Sequence, residues 1–153
     1  MKAATALLAV LSAAVSASPV ATRQTTTEFD VSSLYASCTP HSSLCYYSLN
    51  VTFPPSTTAV ECSGTALGYQ TLPELKPTAC KDPSVSFAYT LTEGGADLTI
   101  DWEYQDGFNL TGKHFIPSSE IEWTNTEIPT GQVQAYSGPR DFAITDLTAT
   151  ASV

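Results

Sequence analysis

Val85-Ser86-Phe87-Ala88-Tyr89-Thr90-Leu91, then Glu93-Gly94-Gly95-Ala96-Asp97, then Leu98-Thr99-Ile100-Asp101-Trp102-Glu103-Tyr104 is the stretch whose reading decides the fold. On each arm a large apolar side chain recurs at every second position, with small or polar residues between. Successive side chains of a strand point to opposite faces, so this period lines one face of each arm with hydrocarbon and leaves the other wet. The segment from Glu93 to Asp97, with its two glycines, supplies the turn, and the whole reads as a β-hairpin. An amphipathic helix needs apolar residues at i, i+3 and i+4 instead, and that spacing does not set in on either side of the hairpin.

Toward the N-terminus, Cys45 to Phe53 reads as a strand with Tyr47, Leu49, Val51 and Phe53 on one face and Tyr46, Ser48, Asn50 and Thr52 on the other. Pro54 and Pro55 end it, because neither can donate to a ladder. Phe29 and Val31, with Leu34 and Tyr35, make a first strand that runs into Cys38, and Thr57 to Ala66 makes a third through Val60 and Cys62. Leu72 to Pro83, with three prolines, reads as a connection. Toward the C-terminus a strand runs from Asn109 to Ile116, and Pro117-Ser118-Ser119 opens a short helical turn or a second hairpin. Ile121 with Trp123, then Gly131 to Tyr136, then Phe142, Ile144 and Leu147 give the remaining strands. About eight short strands without an amphipathic helix predict an all-β, single-domain antiparallel sandwich or barrel.

The first residues have a different character. Lys2 is followed by Ala3 to Val15 with nothing more polar than Thr5 and Ser12, and Val15-Ser16-Ala17 offers small residues for cleavage. That is the layout of a signal peptide over residues 1–17. Residues 18–27, rich in Ser, Thr and Ala, are expected to be a flexible mature N-terminus, and 28–153 a single β domain. The apolar run is shorter than the about 20 residues a membrane helix needs, and no hydrophobic tail follows the small residues at the C-terminus. The expected location is therefore extracellular.

Without Lys2 the chain carries five Lys and Arg against fifteen Asp and Glu. So acidic a surface repels phosphate backbones and anionic lipid, which removes nucleic acid and membrane from the expected partners. All four cysteines, Cys38, Cys45, Cys62 and Cys80, lie after the leader. An even count in an oxidising compartment means bridges, with three connectivities open. Cys38–Cys45 with Cys62–Cys80 is favoured, since each then closes a loop between neighbouring strands. The spacings contain no Cys-x-x-Cys and no histidine in a finger-like register, so zinc is not expected.

Asn50-Val51-Thr52 and Asn109-Leu110-Thr111 match the N-glycosylation sequon, which a secreted eukaryotic chain exposes to the transferase. Two carboxylate pairs, Asp101 with Glu103 and Glu120 with Glu122, stand at i and i+2, about 7 Å apart on one strand face, within the range glycosidases use. Each sits opposite an apolar set, however, and a solvated polar face explains both. Asp97, Asp101, Glu103 and Asp106 lack the loop pattern of a calcium site. His41 and His114 are the only imidazoles, and no Gly-x-Ser-x-Gly elbow accompanies them. No catalytic residue, metal or cofactor is therefore assigned. Trp102, Trp123 and Tyr46 are the candidates for an aromatic sugar-stacking surface, although a Trp on an alternating strand fits the core first.

Phe29-Asp30-Val31-Ser32-Ser33-Leu34, then Cys38 and Cys45-Tyr46-Tyr47-Ser48-Leu49-Asn50-Val51, then Cys62 and Cys80 before a long β region, resembles the fungal secreted family typified by the major allergen of Alternaria. The resemblance implies a compact β-barrel or sandwich with two intrachain disulfides carried by these four cysteines. It also implies a non-enzymatic secreted role, for some members as elicitors of plant defence or binders of host defence proteins. The allergen is similar to a covalent dimer made through an additional cysteine; this chain has none to spare, so a monomer or non-covalent oligomer is expected. The functional expectation is a secreted, non-enzymatic effector, elicitor or allergen-like protein that binds an extracellular host protein or a cell-wall component. A carbohydrate-binding module and a small glycoside hydrolase are the alternatives.

Overall fold

The computed structural model describes residues 26–151, so the leader expected over 1–17 and most of the 18–27 stretch lie outside the described residues. Eleven strands follow in chain order: β1 (Phe29–Cys38), β2 (Leu44–Thr52), β3 (Val60–Leu67), β4 (Leu75–Ala79), β5 (Val85–Thr92), β6 (Gly95–Gln105), β7 (Phe108–Pro117), β8 (Ile121–Glu127), β9 (Thr130–Tyr136), β10 (Phe142–Ile144) and β11 (Leu147–Ala151). Among the described residues the one helical element is a single 3-10 turn, Ser118–Glu120.

The strands form two antiparallel sheets. The first has the order β3-β2-β1-β9-β8, with β10 beside β9 on the far edge of β1. The second has the order β11-β7-β6-β5-β4. The sheets pack as a sandwich, which decides between the two architectures the sequence left open. The quoted hairpin is β5–β6, paired from Val85↔Trp102 to Thr92↔Gly95. Its turn is tighter than the five residues expected, because Gly94 takes a φ of 81°, the left-handed region open to glycine.

The core lies between the sheets. Phe29 is fully buried, meets Phe53 edge-on at 4.8 Å, and leaves Phe53 stacked on Trp102 of the opposite sheet at 4.2 Å. Tyr47 and Tyr89 meet at 5.2 Å, and Leu49, Val51, Phe87, Leu98 and Ile100 fill the space between. Each of these comes from the apolar half of a period-two strand, so packing follows directly from the sequence pattern.

Three expectations change. The Leu72–Pro83 connection contains β4, whose Pro77 sits at a register irregularity between Leu75 and Thr78 on an edge strand, the setting that tolerates a residue without an N–H. The expected last strand is two: β10 pairs with β1 and β11 with β7, so the chain changes sheets between Ile144 and Leu147. Thr26, expected to be flexible, is buried and donates its hydroxyl to the Pro54 carbonyl at 2.6 Å.

Candidate functional site

Edge strand β3 carries one cysteine and a second directly follows edge strand β4 of the other sheet. Cys62 of β3 is bonded to Cys80, the residue after β4, which ties one sheet to the other along that side. Cys38 and Cys45 are register partners across β1 and β2 and are bonded to each other. Among the described residues no cysteine is free and no group of three or more His, Cys, Asp or Glu is placed to hold a metal ion.

The carboxylates are already engaged or apart. Asp101 accepts the Thr111 hydroxyl across the β6–β7 ladder, and Glu103 accepts the Gly107 N–H at 3.1 Å. Glu120 belongs to the 3-10 turn and Glu122 to β8, so this pair and the β6 pair stand on different sheets. Asp82 is held below the usual carboxylate range by hydrogen bonds from the hydroxyl and N–H of Ser84, an arrangement that caps a turn.

The three aromatics proposed from sequence do not form one surface. Trp102 is turned into the core against Phe53, Tyr46 stands on β2, and Trp123 is exposed on β8, with β1 and β9 between the last two. Trp123 therefore also departs from a core placement. It lies on the terminal strand of its sheet, where alternation no longer guarantees cover.

Another pair is brought together instead. Tyr35 and Tyr46 are 46% and 44% exposed on the outer face of the first sheet, Tyr35 opposite Ser48 and Tyr46 opposite Ser37 in the β1–β2 ladder. That makes them diagonal neighbours, within reach of one flat ligand. With Ser48, Ser63, Gly64 and Thr65 they line a shallow groove of about 460 Å³. Ser48 and Ser63 also open into a second, polar hollow of about 260 Å³ bounded by Ser33, Asn50, Glu61 and Lys81. Asn50 of the first sequon thus lines this hollow, while Asn109 lies on β7 of the other sheet. Lys81 pairs with Glu61 at the rim, both side chains well exposed, so that pair adds little stability.

Tyr35 was not legible as a site residue. Strict alternation from Phe29 and Val31 points it inward, but Ser33 adopts a φ of 56° and the ladder slips between Ser32 and Tyr35. Beyond this bulge Leu34, Ala36 and Cys38 face the core and Tyr35 faces water. The bulge is held from far along the chain: Asp141 accepts the Ser33 N–H at 2.8 Å, and Arg140 accepts from Leu34 N at 2.9 Å and donates to Leu34 O at 3.2 Å.

Compared with solved structures, the chain is similar to a crystal structure of the major allergen of Alternaria alternata, with a TM-score of 0.59 at 15% identity over 83% of this chain and 97% of that one. A second crystal structure of the Alternaria alternata allergen Alt a 1 matches at a TM-score of 0.49 and 16% identity, over 89% and 96% of the two chains. No protein-family model and no curated protein matches the sequence. The first likeness shows that the chain has the fold of that allergen.

Proposed function

We propose that this chain is a secreted, non-enzymatic recognition protein, allergen-like in build, which acts as an effector or elicitor by binding a cell-wall or host component through the outer face of β1, β2 and β3. The observation that carries the reading is the pair Tyr35 and Tyr46, half-exposed on one sheet face around a groove lined with hydroxyls. Aromatic faces cover the apolar flank of a sugar ring, and serine, threonine and asparagine side chains supply donors and acceptors to its hydroxyls. Among extracellular components a cell-wall glycan fits this chemistry best. The signal-like segment from Lys2 to Ala17, the disulfides and the two sequons support secretion.

Retention of the purified protein on chitin, β-glucan and cellulose tests this. Binding to one of them is expected to fall about tenfold in Tyr35→Ala and in Tyr46→Ala, the loss of one well-placed aromatic contact. No retention on any of the three sinks the glycan reading. Hydrolysis of such a polysaccharide, abolished by Glu103→Gln or Glu122→Gln, would overturn the non-enzymatic reading.

A further inference from the structure

The sequon Asn50-Val51-Thr52 lies at the end of β2, and the neighbours of Asn50 fix where its amide points. Leu49 and Val51 are buried in the core, so Asn50 projects from the outer face of the first sheet, as do Ser48 and Tyr46. At about 3.4 Å per residue, its Cα stands about 7 Å from that of Ser48 and about 14 Å from that of Tyr46. Ser48 is the register partner of Tyr35, which places Tyr35 diagonally across the ladder from Asn50. Asn50 and Ser48 both line the polar hollow, and Ser48 and Ser63 continue from it into the tyrosine groove. An oligosaccharide carried on Asn50 therefore starts beside the groove and has it as the adjoining surface.

Asn109-Leu110-Thr111 provides the contrast. Leu110 is buried, so Asn109 projects from the outer face of the other sheet, between Glu103 and Thr150 in the two ladders. The outer faces of a sandwich point in opposite directions, so a glycan there is directed away from Tyr35 and Tyr46.

We propose that Asn50 carries an N-linked glycan that lies back over Tyr35 and Tyr46 and covers the groove, so that occupancy of this sequon regulates the recognition face. The regulatory part rests on the reading of that face as a sugar-binding surface. In the modification, the Asn50 amide nitrogen bonds to the anomeric carbon of a lipid-diphosphate-linked oligosaccharide. The bond from that carbon to the diphosphate oxygen breaks, the lipid diphosphate leaves, and the amide proton passes to a base of the transferase. The attached glycan is bulky and solvated, and its short tether gives it an effective concentration of about millimolar at the groove. A weak stacking site is occupied at that concentration, and the aromatic faces and hydroxyls that suit a cell-wall glycan suit the chain's own.

The test compares the full chain, secreted from a eukaryotic host, with Asn50→Gln, with Asn109→Gln, and with Thr52→Val, which breaks the first sequon and keeps the Asn50 amide. Peptide mapping by mass spectrometry reads occupancy, and nitration by tetranitromethane reads the accessibility of each tyrosine, with exposed Tyr69 as the internal standard. Asn50 is expected to be occupied. Nitration of Tyr35 and Tyr46 should be about three- to tenfold lower in the glycosylated protein than in Asn50→Gln or Thr52→Val, the effect of a tethered competitor. Enzymatic removal of the glycan from the folded protein should restore it, and Asn109→Gln should leave it unchanged. Retention on chitin, β-glucan or cellulose should be stronger in Asn50→Gln and Thr52→Val than in the glycosylated protein. An unoccupied Asn50, equal nitration with and without its glycan, protection lost in Asn109→Gln, or equal retention of the two glycoforms would each overturn the proposal. Failure of every form to be retained sinks the sugar-binding reading and the regulation with it, while nitration still decides whether the glycan covers the groove.

Discussion

Replacing both Cys62 and Cys80 by alanine removes the covalent tie between an edge strand of one sheet and the end of an edge strand of the other. The bridge spans a sequence separation of 18, against 7 for Cys38–Cys45. Loop-closure entropy in the unfolded chain grows with the logarithm of that length, giving about 3 kcal/mol for the long bridge and about 2.5 kcal/mol for the short one. The native state widens the gap. Cys38 and Cys45 remain partners in a ladder that runs from Asp30↔Thr52 to their own pair, whereas β4 has only β5 beside it in its sheet and an irregular register there. For a domain of this size about 3 kcal/mol corresponds to a fall in Tm of about 10 °C. Urea unfolding followed by circular dichroism gives the total cost, and amide exchange shows where it falls. The Thr78 and Ala79 amides should exchange faster than those of the central strand β6, because the loss is local before it is global. If the Cys62/Cys80 variant is no less stable than the Cys38/Cys45 variant, or if β4 amides stay as protected as those of β6, the assignment of the long bridge as the tie between sheets is wrong.

Phe29→Ala should cost about 3–5 kcal/mol in urea unfolding, since the ring is fully buried against Phe53 and opposite Trp102. Gly112→Ala probes the same spot from the other side: the new methyl would lie 2.6 Å from the Phe29 ring, and overpacking of about 1–3 kcal/mol is expected. Burial raises Tyr47, Tyr89 and Tyr136 above the ordinary phenol value of 10.0, the last two to about 12, with the Glu120 carboxylate also acting on Tyr136. The neutral phenols therefore favour the fold, so stability should be full below pH 10.0 and drain as pH rises toward about 12, read as a falling urea midpoint. His114, stacked on Phe142 at 4.0 Å, is pushed down by burial, partly offset by Glu120. The unfolded chain then takes the proton first, and stability should fall as pH drops below 6.5, a slope that His114→Gln removes.

Much of the molecule was legible. The β5–β6 hairpin, the two faces of β2 and the paired cysteines rest on local rules: side chains alternate along a strand, and neighbouring strands bring cysteines at short spacing together. The misses came where neighbours overrule the local rule. Pro77 argued against β4, but an edge position leaves one side of a strand without a ladder to break. Trp123 matched the apolar alternation of a core strand, yet β8 ends its sheet and leaves the indole in water.

The sequence by itself determined an all-β domain of antiparallel strands, the composition of its core and the residues available for bridges, because each depends on period and residue type along a few neighbouring positions. Only the tertiary structure decided which tyrosines meet on one face. Tyr35 turns outward because the bulge at Ser33 is held by Arg140 and Asp141, and Ser33 and Asp141 stand 108 positions apart. Period two carries no information about contacts at such a separation. They form when β9 and β10 pair with β1, and that pairing exists only in the assembled sheet.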